Sequence, residues 1–137
     1  ALLHEIGEVE AGKRLGEEWE QLLAALPPSK AEIMLRALRD HLADALSTLP
    51  TLLEQEQTAS LHFYFANLNS MRKHMYPSLL SAYQQWHENG KLSPLSRQVV
   101  QGRDHWQSLA DNALELYRQR GPEAREAIES LLESSLL

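Results

Sequence analysis

Cysteine is absent from the 137-residue chain. That excludes disulfides, thiolate metal sites and cysteine nucleophiles. No apolar run approaches the roughly 18 residues of a membrane span, and the start shows no secretory signal pattern. The chain begins at Ala1 rather than Met, as a processed product or an excised piece would. A cytoplasmic location without membrane attachment is the default expectation. Positive charge is scarce, with 13 Lys and Arg against 19 Asp and Glu and a formal net charge of -6. This balance argues against a phosphate-binding surface, so direct nucleic-acid binding by this segment is not expected.

Catalytic signatures are missing too. The chain has no G-x-S-x-G elbow and no glycine-rich phosphate loop. Ser29 and Ser93 stand at helix starts, where capping accounts for them. No catalytic residue and no enzymatic activity are expected. Six histidines are present, but no two lie four apart and there is no Glu-x-x-His. Metal sites on helices usually need such spacing. No metal and no other cofactor is therefore expected.

What the sequence does have is helical periodicity almost throughout. Leu2, Ile6, Val9, Leu15, Trp19, Leu22 and Leu26 recur mostly at steps of three and four, as one face of a helix requires. Gly7, Gly12 and Gly16 interrupt that helix; they either weaken it or let another backbone approach. Ser29 followed by Glu32 reads as a capping box. The face Ala31, Met34, Leu35, Leu38, Leu42 and Leu46 follows, up to a break at Pro50. A third helix is expected through Leu61, Tyr64, Phe65, Leu68, Met71 and Met75. Pro77 and Pro94 open further helices, Gly90 and Gly121 close them, and no strand pattern occurs. The expectation is an all-α single domain, a compact bundle of five or six helices near 2–26, 29–49, 51–75, 77–89, 94–120 and 122–134.

Charge and aromatic residues are unevenly spread. Residues 1–28 carry six Glu against Lys13 and Arg14, whereas residues 61–120 carry seven Lys or Arg against four acids. Solvated helix faces explain this pattern. The stretch 60–106 holds both Phe, three of four Tyr, two of three Trp and four of six His. At helical spacing these rings fill a core, or they line a pocket for an apolar ligand. The pocket reading names Phe63, Tyr64, Asn67, Met71, His74, Tyr83, Trp86 and Trp106 as ligand-binding residues. Phe63 falls off the apolar stripe beside His62, which makes it the first place to look for a bound molecule.

From residue 76 to the end, the chain resembles the C-terminal helical ligand-binding domain of MerR-family transcription regulators of the thiostrepton-binding type. Tyr76-Pro77, the turn from Gly90 to Pro94, and Arg103 to Trp106 carry the resemblance over about 60 residues. The ligand domains of TetR-family regulators are a competing resemblance. Both imply a small-molecule-sensing effector domain with its DNA-binding part outside this chain; a hydrophobic or aromatic ligand bound between helices, and a homodimer formed through an amphipathic helix, are expected with it. The alternative is a helical protein–protein interaction module, an adaptor, anti-activator or chaperone without a ligand, that docks through its acidic first helix.

Overall fold

The computed structural model describes residues 2–137, and among these there are helices and no strand. The expected all-α class holds, in one bundle built on a shared core.

Helix α1 (Leu2–Ala25) bends at Gly16, whose φ of 76° lies in the left-handed region that glycine tolerates best. Its inner face buries Ala11, Leu15, Trp19 and Leu22. The neighbouring glycines have unlike roles. Gly7 lies directly on the backbone of Ala43, and a Cβ there would collide with that carbonyl; a Cβ at Gly12 would meet open space.

Helix α2 (Lys30–Ala43) starts as expected, with Ser29 Oγ accepting the Glu32 N–H at 3.3 Å. The expected break at Pro50 does not occur. A π turn (Asp44–Thr48) carries the helix into α3 (Leu49–Glu54), with Leu49 N–H reaching back five residues to Asp44 O. The wider turn shifts the hydrogen-bond register, and Pro50 lands in the first turn of α3, where its missing N–H costs little.

The single helix expected over 51–75 is also corrected. It divides into α3, α4 (Thr58–Ala66) and α5 (Ser70–Met75). The first break is a Schellman cap: Gln57 N–H bonds Leu52 O at 3.0 Å and Glu56 N–H bonds Leu53 O at 3.2 Å. Its left-handed position is held by Glu56, with φ 50°, where glycine is usual. Glu56→Gly should therefore raise stability by about 0.5–1 kcal/mol, read as a higher urea midpoint with an unchanged m-value. At the second break Asn69 caps α5 by accepting the Arg72 N–H at 2.9 Å.

Of the remaining elements, the helices expected over 77–89 and 94–120 follow the sequence expectation, and the one expected over 122–134 opens as a 3₁₀ turn. Helix α6 (Pro77–Asn89) ends at left-handed Gly90, and α7 (Ser93–Arg120) ends at Gly121. A 3₁₀ turn (Gly121–Ala124) then leads into α8 (Arg125–Glu133). Trp106, at the middle of α7, is fully buried with its ring against His41 of α2 and against Tyr76.

Candidate functional site

The π turn sets the site. It starts at Asp44 and turns this carboxylate inward, leaving it 2% exposed. A buried carboxylate needs partners, because stripping its hydration is costly. Asp44 has four. Its Oδ1 lies 3.0 Å from His4 Nδ1 and accepts from Thr48 Oγ1 at 3.2 Å. Its Oδ2 accepts from the Tyr64 hydroxyl at 3.0 Å and from Arg72 Nη2. Burial works against the charge on Asp44, but the Arg72 guanidinium and the His4 hydrogen bond hold its carboxyl below the ordinary carboxylate value.

Arg72 is itself buried at the start of α5, in the position that the Asn69 cap gives it. Its Nη2 also donates to the Tyr64 hydroxyl at 2.9 Å and lies 3.4 Å from His41 Nδ1. Its buried Nε has no hydrogen-bond partner among the described residues. His41 closes the loop, because its Nε2 lies 2.9 Å from the Arg72 carbonyl. A carbonyl only accepts, so Nε2 carries the proton and Nδ1 is left to accept from the guanidinium. Burial and the neighbouring Arg72 charge push the His41 pKa down to about 3, in keeping with a neutral ring. Its face stacks on Trp106, with centroids 5.3 Å apart. Burial likewise pushes the Tyr64 hydroxyl up, so it stays protonated and donates.

This ionic cluster floors a cleft of ≈ 410 Å³ between the start of α1, the end of α3, and α4. Its apolar walls are Leu2, Leu3, Leu52, Phe63 and Leu68; His4, Asp44, Thr48, Tyr64 and Arg72 supply the polar side. Small-molecule sites occupy roughly 300–1,000 Å³ and combine apolar walls with a few fixed polar groups. Phe63 is 71% exposed and Leu2 68%, so two large apolar side chains on this cleft are in water.

Of the eight residues named from the sequence, the structure brings three to this cleft: Phe63, Tyr64 and Asn67. The Asn67 amide also donates to Phe63 O at 2.8 Å, at the end of α4. The other five lie elsewhere. Met71 borders a shallow surface groove with Ile33 and Arg36. His74 pairs with Glu133 at 2.9 Å on the surface. Tyr83 stacks on Phe65 at 4.1 Å and meets His62 Nδ1 at 2.7 Å, while Trp86 stacks on His62 at 4.7 Å. Trp106 is core. The aromatic residues therefore do not form one pocket between α4 and α7. They divide between a filled core, an α4–α6 stack and the cleft beside α1.

Sequence reasoning passed over His4 and His41 as site residues, placed Asp44 off the buried stripe, and counted Arg72 only in a small basic cluster with Lys73. A signal was available for His41, which falls three residues after Leu38 on the buried face of α2; Asp44 is turned inward by the π turn. Polar side chains on a buried stripe need partners.

Residues 1–135 match the family described as family of unknown function (DUF6866), C-terminal domain. No curated protein and no solved structure matches the chain.

Proposed function

Starting from the chain's membership of the C-terminal domain family of DUF6866, we propose that this domain captures a small hydrophobic or aromatic molecule in the cleft between α1, α3 and α4. The observation that carries this reading is the exposed Phe63 and Leu2 on a cleft whose floor is a buried, mutually bonded set of charged and phenolic side chains. A planar ligand body would cover the exposed apolar side chains. A single polar head would reach Tyr64 or Arg72. The cleft is lined by α1 on one side and by α3 and α4 on the other, so a ligand that fills it favours the conformers in which α1 is seated. A role as the effector domain of a transcription regulator rests on the resemblance of residues 76–137 alone. The cytoplasmic location and the homodimer belong to the same proposal.

Thermal-shift screening against hydrophobic cations, dyes and antibiotics tests ligand capture. Compounds that raise the melting temperature of the native protein should lose that effect in Phe63→Ser. Phe63 is largely in water, so this change leaves the core intact. A screen without a single stabilising compound sinks the reading.

The second reading, a helical interaction module without a ligand, draws on a different feature. Ile6 and Val9, which do not line the cleft, continue from Leu2 at i+4 and i+7 along α1 and are 46% and 58% exposed. Such a stripe fits a partner helix or a second copy of this chain. Removing residues 1–28 does not test it, because Trp19 and Leu22 belong to the core. The paired change Ile6→Ser and Val9→Ser does. Loss of self-association in light scattering, with an unchanged melting temperature, assigns the stripe to a dimer.

A further inference from the structure

His4 has a second face. Its Nδ1 is engaged by Asp44, so Nε2 points the other way, and there it lies 2.8 Å from Glu8 Oε1. Asp40 approaches His4 and Glu8 from α2. One donor atom from each of His4, Glu8 and Asp40 lies within 4.8 Å of the others. The close approach of the two helices at Gly7 and Ala43 sets this meeting.

We propose that His4, Glu8 and Asp40 bind a divalent first-row transition-metal ion of the zinc class. The donor set is one imidazole nitrogen and two carboxylates, which suits zinc and its neighbours better than magnesium or calcium, whose ligands are all oxygen. His4 and Glu8 are four residues apart on α1, so both reach from one face of the helix. The outer contact of the imidazole is the arrangement that zinc-binding histidines use. A carboxylate on one ring nitrogen fixes the tautomer and the ring plane, and the other nitrogen is presented to the ion. Here that carboxylate is Asp44, itself held by Thr48 and Tyr64. Glu8 has His4 as its ion-pair partner among the described residues, so nothing else holds it away. The competing cation at Asp40 is Arg39, at a loose 3.6 Å. Metal–ligand bonds of about 2.0–2.2 Å require the three atoms to draw closer, and rotation of the half-exposed Glu8 side chain supplies this movement. Water would complete the coordination. The proposal stands on this side of His4 and does not depend on a ligand in the cleft.

The test is calorimetric titration of the full chain with Zn²⁺, with the absorption spectrum of the Co²⁺ form as a second readout. The expected result is one saturable equivalent and a rise in melting temperature that EDTA reverses. Glu8→Gln and Asp40→Asn each remove a direct ligand and should each weaken binding by at least the roughly 10–100-fold that loss of an outer partner causes, and their metal-free melting temperatures show that the fold persists. Exchange of His74 or His87, which lie on other surfaces, should leave the affinity unchanged. Absence of saturable binding would overturn the proposal. So would binding that survives both carboxylate changes but is lost with His74 or His87.

Discussion

Arg72→Met is expected to destabilise the domain by about 3–5 kcal/mol, among the largest losses that a single substitution causes here. The reason is the charge left behind. Asp44 is 2% exposed, and without Arg72 its carboxylate keeps only neutral hydroxyls and the partly exposed His4 around it. Tyr64 and His41 each lose a donor as well. Asp44→Leu should cost a similar amount, because it strands a buried guanidinium. The double variant Asp44→Leu with Arg72→Met removes both charges and should be more stable than either single variant, since a buried ion pair adds little net stability over apolar residues of like volume. Urea unfolding followed by circular dichroism measures all three. If either single variant lost less than about 1 kcal/mol, the cluster would behave as an exposed pair and its description as a buried network would be wrong.

The second large effect is expected at Gly7. In an open helix Gly→Ala stabilises by about 1 kcal/mol. At Gly7 the added Cβ meets the carbonyl of Ala43, which is backbone inside a helix and has little room to move. Gly7→Ala should cost about 1–3 kcal/mol, as overpacking does. It should also lift the first half of α1 and disturb both the cleft and the meeting of His4, Glu8 and Asp40. Gly12→Ala is the matched control. Among the described residues nothing lies within 4 Å of its added methyl group, so a gain of about 0.5–1 kcal/mol is expected. Opposite signs at two glycines five residues apart on one helix would identify the close crossing as the cause. A gain at both would mean that α1 is not seated on α2.

Much of the fold was legible from residues whose chemistry is local. Ser29 with Glu32, Pro77, Gly90 and Gly121 mark helix ends by capping and ring constraints, and the structure has ends at those places. One boundary was hidden because an atypical residue occupies a familiar geometry, and one expected break is absent. Glu56 stands where a Schellman cap usually has glycine, so the end of α3 gave no signal. Pro50 normally reads as a stop, but a π turn lets the chain pass through it, and no residue pattern announces a π turn. The site was half visible. Phe63 stood out because it broke the apolar stripe, and it does lie on the cleft. Asp44 and Arg72 did not stand out. They are 28 residues apart, and only the π turn and the Asn69 cap bring them together. The search for paired histidines likewise missed His4, because its candidate co-ligands are carboxylates, one of them on another helix.

Backbone amide chemical-shift mapping with the strongest thermal-shift compound tests ligand capture by the α1–α3–α4 cleft most directly. The largest saturable shifts should fall at Leu3, Thr48, Phe63, Tyr64 and Asn67, which surround the cleft. Shifts centred instead on Tyr83 and Trp86, or on the outer face of α1 at Ile6 and Val9, would contradict it.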